Sequence, residues 1–276
     1  MASSGNGPTI IEFLPDLTTK KKKGVHRPVY ANVFAQQVTQ GDAVKVIHLM
    51  VNPYSGKKRG EKIAQQAKTA FEAKSIEVTM HLSSYSGELI ELAANLSTQA
   101  TDVVAVVGGD GSLSEVITGL MQVKSPCRVG LIPAGTGNSM ANDLKITSTE
   151  EAINRICGGN YQLLDLAKVD MVAGLPGSEN GELTRYSANL VTWGLGVDST
   201  IRAEKMRWMG PMRYDVGILL AIMANNRRHA TLTIDGHAIE DDFTLFLIQN
   251  SQTGGSLLPL APGATLDDGM MDIGIL

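Results

Sequence analysis

Two glycine loops, Gly108-Gly109-Asp110-Gly111-Ser112 and Pro133-Ala134-Gly135-Thr136-Gly137-Asn138, each follow a short apolar run and each open into a helical pattern. Strand, glycine loop, helix is the arrangement by which an α/β protein sets backbone N–H groups and a positive helix end against phosphate. Two such units in succession predict neighbouring strands of one parallel sheet, with a nucleotide phosphate site shared between their ends.

Val103-Val104-Ala105-Val106-Val107 is a continuous β-branched run suited to a strand covered on both faces. Gly108, Gly109 and Gly111 permit tight, left-handed turns and leave room for a ligand. Ser112 with Glu115 reads as a capping box that starts a helix, and Leu113, Val116, Ile117 and Leu120 continue its period. Asp110 is either a turn former or a carboxylate that holds magnesium indirectly or accepts a substrate proton. In the second unit Val129-Gly130-Leu131-Ile132 reads as a strand. Asn138 is an N-cap or a ligand contact, and Asn142 shares its helical face.

A third unit precedes these: a strand at Val44–Val51, a basic loop from Asn52 to Gly60, and a helix over Glu61–Lys74. Lys57, Lys58 and Arg59 offer charge for phosphate, yet the loop lacks the Gly-Lys-Ser/Thr triplet of a P-loop.

Asn52-Pro53 with Ser55-Gly56-Lys57, then GGDGS at 108–112, then PAGTGN at 133–138 resemble the diacylglycerol kinase catalytic-domain superfamily, which includes sphingosine and ceramide kinases. Trp193-Gly194-Leu195-Gly196-Val197-Asp198, the stretch Ala203–Gly210 with Arg213-Tyr214, and Ala261–Gly269 with its Asp-Asp-Gly are similar to later segments of the same group. The resemblance runs from about Val44 to the C-terminus. It implies transfer of the γ-phosphate of ATP, with Mg²⁺, to a lipid hydroxyl. It places nucleotide contacts on Asn52, Gly56, Lys57, Ser83, Gly108, Gly109, Gly111, Ser112, Gly135, Thr136, Gly137 and Asn138. It makes Asp110 the base, sets Asp198 at the lipid headgroup, and assigns a magnesium ion to Asp268 and the carbonyls of Thr265 and Met270. Read without it, Asp267-Asp268-Gly269 is a hairpin turn. The family usually ends in an Asp-Gly-Glu segment, whereas this chain stops at Leu276; a fragment is expected, or Asp110 carries the base role alone.

The expected fold is an α/β nucleotide-binding domain with a parallel sheet, followed by a β-rich, sandwich-like domain, with the active site in the cleft between them. A mobile arm is expected over residues 1–42, with Lys20–Lys23 a solvated run, the α/β domain over 43–160 and the β-rich domain over 161–276. In the second domain strands are expected at Leu163–Val169, Tyr186–Trp193, Ala230–Ile234 and Phe243–Gln249, with one helix around Arg213–Asn225.

A net charge of −4 argues against a general nucleic-acid binder. Cys127 and Cys157 read as isolated thiols of a reducing compartment. No apolar stretch is long enough to span a bilayer, and no signal-peptide pattern opens the chain, so a cytoplasmic, peripherally membrane-associated protein is expected. Two other readings stand beside the lipid kinase. One is a soluble-metabolite kinase of the NAD kinase type; the other is a catalytically dead nucleotide- or lipid-binding module. Composition says nothing about oligomeric state.

Overall fold

The computed structural model describes residues 10–13, 39–172, 182–206, 216–217, 220–221, 223–224, 226–254 and 258–276. Lys20–Lys23 and the segment 207–215, with Trp208 and Arg213, lie outside them.

The first domain is a six-stranded sheet of order β3-β2-β4-β5-β1-β6. Its strands are β1 (Ile10–Phe13), β2 (Val46–Val51), β3 (Glu77–Leu82), β4 (Val103–Gly108), β5 (Arg128–Pro133) and β6 (Tyr161–Leu164). Between them run α1 (Ser55–Lys58), α2 (Gly60–Glu72), α3 (Glu88–Ala94), α4 (Asp110–Gln122), α5 (Ser139–Asp143) and α6 (Thr149–Cys157). The pairs β2–β3, β2–β4 and β4–β5 are parallel, as the alternation of strand and helix requires. Every residue of β4 is buried, which suits its unbroken β-branched run. Ile10–Phe13 is not a free arm: it pairs antiparallel with β5 and parallel with β6. β6 still belongs to this sheet, so the first domain reaches Leu164 rather than 160.

The second domain is built of short antiparallel pieces. β7 (Ala167–Val172) pairs β8 (Glu182–Ser187), and β9 (Leu190–Gly194) leads into α7 (Leu195–Lys205). β10 (Arg228–Ile234) and β11 (His237–Phe243) form a hairpin, and β12 (Leu245–Gln249) lies between β9 and β15 (Asp272–Ile275). β13 (Thr253–Gly254) pairs β14 (Leu258–Pro259). The described residues between 216 and 224 are helical, as expected. The expected strand at Leu163–Val169 is two strands serving two sheets, and α7 and β11 come where no element was expected.

Two helices pack where only glycine fits. A Cβ on Gly119 of α4 would stand 2.2 Å from the Ile90 carbonyl oxygen of α3. The N-termini of α2 and α4 and the short α5 all lie at the carboxyl ends of β2, β4 and β5, and strand order reverses between β2 and β4. That edge is where open α/β sheets hold their ligands.

Candidate active site

The three loops at this edge interlock through backbone. Asn52 N–H donates to the Val107 carbonyl at 3.2 Å, and its side-chain amide donates to Ser112 Oγ at 3.3 Å. Ala134 and Gly135 N–H both donate to the Gly108 carbonyl, at 2.8 and 3.2 Å. A Cβ on Gly135 would lie 2.6 Å from Gly109 Cα, and one on Gly56 would lie 2.1 Å from the Ala134 carbonyl oxygen. Glycine is therefore required at these positions by close approach. Gly108, Gly109 and Gly111 do not adopt the left-handed conformation expected of them. Open space surrounds the place where a Gly111 side chain would stand, so α4 is uncovered at that residue of its first turn.

The left-handed backbone sits instead in the basic loop. Gly56, Lys57 and Lys58 have φ of 55°, 64° and 64°. Two successive lysines in that region are strained, a feature that clusters at ligand-binding turns. Both lysines and Arg59 are exposed, and Arg59 Nε holds the turn by donating to the Gly56 carbonyl at 2.9 Å.

Asp110 does more in the fold than a turn former would. Its two carboxylate oxygens accept the N–H groups of Ser139 and Met140, each at 3.0 Å. The first glycine loop thus caps the helix that follows the second. Asn138 is the N-cap residue of α5 by position, at φ 52°, but its side chain makes no cap bond and donates to the Gly135 carbonyl. Asn142 Nδ2 reaches the Gly137 carbonyl at 3.5 Å, so both asparagines do serve one loop. Thr136 is exposed at its tip.

The expected capping box is absent. α4 begins at Asp110, two residues before Ser112, whose hydroxyl is buried against Asn52. Glu115 turns away and accepts Gly87 N–H at 3.2 Å, at the start of α3. Burial pushes its carboxyl above the usual carboxylate range against that hydrogen bond and Arg185. Ser83 is buried too, and its hydroxyl donates to the Val51 carbonyl rather than facing outward. An open cavity of about 410 Å³ nonetheless runs beside it, lined by Pro53, Tyr54, Lys58, Glu61, Leu82, Ser83 and Ser84.

The second domain clasps this site from two sides. Ser114 Oγ donates to the Tyr186 carbonyl at 2.7 Å, and Tyr186 N–H donates to Thr118 Oγ1 at 3.0 Å. Thr253 gives its hydroxyl and N–H to Asp143, at 2.8 and 3.2 Å. Burial raises the Asp143 carboxyl despite these bonds. Neither latch was legible in the sequence, because each joins residues far apart in the chain.

Asp198 lies in the first turn of α7 and is bound at both oxygens by Arg228 Nη2, at 2.8 and 3.0 Å. The Arg228 and Asn226 hydrogen bonds and the nearby Arg202 charge hold its carboxyl below the usual range. Near the C-terminus, Asp268 Oδ1 accepts Met270 N–H at 3.0 Å, and Gly269 N–H donates to Asp165 at 2.6 Å. Asp267-Asp268-Gly269 is a side-chain-closed turn ahead of β15, not a hairpin, since β15 pairs with β12. Burial and the charges of Asp268 and Asp267 raise the Asp165 carboxyl, and burial and Asp268 raise that of Asp272. Such crowded carboxylates are a donor set that a divalent cation relieves. Among the described residues no three acidic, His or Cys side chains stand close enough to form a cage. The ligands that the resemblance implies, Asp268 and the carbonyls of Thr265 and Met270, lie in and beside this turn and offer one carboxylate and two carbonyls. No helix among the described residues is long and apolar enough to cross a membrane.

The diacylglycerol kinase catalytic domain family matches residues 46–169, and the YegS C-terminal NAD kinase beta sandwich-like domain family matches 189–276. Sphingosine kinase 1 of Arabidopsis thaliana is 29% identical over 75% of this chain and 43% of its own length. Diacylglycerol kinase of Bacillus subtilis is 25% identical over 84% of this chain and 74% of its own. Human ceramide kinase is 28% identical over 67% and 37%. The chain thus spans less than half of the plant and human enzymes. A solved diacylglycerol kinase structure from Bacillus anthracis superposes with a TM-score of 0.60 at 21% identity, over 84% of this chain and 73% of that one, which supports the two-domain fold. With its interlocked glycine loops and both domain matches, the chain belongs to the diacylglycerol kinase catalytic-domain superfamily.

Proposed function

We propose that this protein is a lipid kinase that moves the γ-phosphate of ATP to a lipid hydroxyl presented at a membrane surface. The observation that carries this is the convergence of three strand–loop–helix units at the sheet's switch point, in a chain whose relatives are named as diacylglycerol, sphingosine and ceramide kinases. Phosphoryl transfer asks a protein for alignment and charge compensation rather than covalent help. The first turn of α4, open at Gly111, supplies N–H groups of Gly109, Gly111 and Ser112 to phosphate, and Gly135, Thr136 and Gly137 face it from the second loop. Lys57 and its neighbours add positive charge, Asn52 and Gly56 fix the loop that carries them, and the cavity beside Ser83 takes the nucleoside. Mg²⁺ bound with ATP offsets the phosphate charge.

Asp110 is the carboxylate nearest the acceptor in this reading. Each of its oxygens keeps a lone pair beyond the one given to α5, so bracing the loops and accepting a hydroxyl proton are compatible roles. Thr265, Asp268 and Met270 hold a second magnesium ion that stiffens the turn before β15. The protein works from the cytoplasmic face as a peripheral enzyme.

The test is transfer of labelled γ-phosphate from Mg²⁺–ATP to sphingosine, ceramide or diacylglycerol in mixed micelles. A labelled lipid supports the reading. Label appearing in NAD instead would establish the soluble-metabolite alternative, and ATP binding without transfer to any acceptor would leave a binding module.

A further inference from the structure

At the end of β12 the chain runs Gln249-Asn250-Ser251, three polar residues of which none is more than 2% exposed. Polar side chains buried so fully are defined by the hydrogen bonds they make. Gln249 gives its amide to the Ser251 carbonyl at 3.3 Å, inside its own segment. Asn250 reaches out of it. Its Nδ2 donates to the carbonyls of Asp165 at 2.8 Å, Leu266 at 3.2 Å and Ala188 at 3.4 Å. An amide nitrogen carries two hydrogens, and the two shorter bonds both bear on the acidic turn around Asp268. Asn250 Oδ1 is buried with no partner among the described residues. A leucine there would spare the chain that orphan acceptor, but could not tie two distant segments by N–H groups.

These bonds close a ring around the turn. The Leu266 carbonyl also accepts Asp165 N–H at 2.7 Å, and the Asp165 carboxylate accepts Gly269 N–H at 2.6 Å. Just upstream, Gln252 Nε2 donates to the Ala264 carbonyl at 3.1 Å. The carbonyls on either side of Thr265 are thus tied inward, while that of Thr265 accepts no hydrogen bond among the described residues. Asp268 is exposed beyond them. Asp267 and Asp268 act on Asp165 as like charges, so the ring is assembled against its own repulsion. An uncharged side chain that offers the turn only donors opposes that repulsion without cancelling the charge a cation would meet.

We infer that Asn250 is a positioning residue for the cation turn: acting through Asp165 and Leu266 rather than on the ion, it holds Thr265, Asp268 and Met270 assembled before the ion arrives. This rests on the magnesium ion given to that turn in the lipid-kinase reading.

The experiment titrates the full chain, without nucleotide, with Mn²⁺ in place of Mg²⁺ and reads binding by electron paramagnetic resonance. Amide exchange is followed beside it, with and without saturating Mg²⁺. The wild type should show a site that Asp268→Asn removes. Asn250→Leu, or Asn250→Ser should leucine prevent folding, should weaken that site about tenfold or more. It should also speed exchange at Asp165, Gly269 and Met270, and saturating Mg²⁺ should slow it again. Gln249→Leu loses a buried bond that does not touch the turn, so its melting temperature should fall with cation affinity unchanged. Exchange that quickens in the Asn250 variant while cation affinity holds would reduce the residue to a structural role and overturn the inference, as would equal weakening in the Gln249 variant. A wild type with no Asp268-dependent site would overturn it together with the ion assignment, leaving lipid phosphorylation to its own assay. Cation binding that follows Asn250 in a chain that phosphorylates no lipid would instead remove the kinase reading and leave the positioning role standing.

Discussion

Asp110 sits at the N-terminus of α4 while both of its oxygens belong to the N-terminus of α5, and that double position shapes what its variants report. In Asp110→Asn an amide group replaces one acceptor and faces a backbone N–H, so a cap bond is lost and a donor left unpaired. The variant should lose about 1–3 kcal/mol of stability as well as phosphate transfer. Denaturant unfolding beside the transfer assay separates the two losses; undiminished stability would remove the bracing role. Glycine positions make a sharper case. Gly135→Ala puts a methyl group against Gly109 backbone, and ATP affinity should fall along with about 1–3 kcal/mol of stability. His81 gives a pH signature. Burial, with the nearby His48 adding to it, holds its imidazole below the ordinary 6.5. The unfolded chain therefore binds this proton more readily, and the stability contributed by neutral His81 is whole above pH 6.5 and lost as pH falls from there. Thermal melts from pH 7 to pH 5 should show a smaller drop in His81→Leu than in wild type, and an equal drop would contradict this.

At the scale of elements, β2, β4 and β5 were legible because continuous β-branched and apolar runs have few other ways to be buried. The three loops were legible because glycine, asparagine and proline punctuate them. The start of α4 was misread at Ser112, since the nearest residues with capping chemistry were used across the fold instead, Ser112 by Asn52 and Glu115 by Gly87. α7 was hidden by Gly194 and Gly196, which break a helical pattern on paper and in the structure allow tight packing on Thr244 and Thr192. β11 was hidden because Glu240, Asp241 and Asp242 suit a loop; six of its seven residues are exposed, so no apolar alternation exists to be read. The packing of α3 on α4 makes its own prediction. Gly119→Ala should cost about 1–3 kcal/mol by chemical denaturation, although alanine favours helix, because the methyl group meets the Ile90 carbonyl. A stabilised variant would show that the helices part without cost.

For the whole molecule, one of the two latches between the domains runs from the helix that follows the second glycine loop. Asp143 ends α5, directly after the second glycine loop, and its partner Thr253 belongs to the β-rich domain. Thr253→Val keeps the shape of the side chain and removes the hydroxyl bond. It should raise hydrogen exchange in α5 and β13 together and weaken ATP binding, with β2–β4 exchange unchanged. Exchange that rises in β13 alone would mean that the domains are not coupled through this pair. The same long reach explains why the site was only half visible in the sequence: glycine loops announce themselves locally, whereas their fastenings are single side chains distant in the chain.

Those fastenings also set an order of events during synthesis. Asp143 and Thr253 are 110 residues apart, which at roughly 5–20 residues per second is about 5–20 s of translation. During that interval the two glycine loops and the Asp110 cap on α5 already exist, while the residue that fastens α5 to the β-rich domain does not. A nascent chain therefore completes its glycine loops early and their fastening to the β-rich domain late.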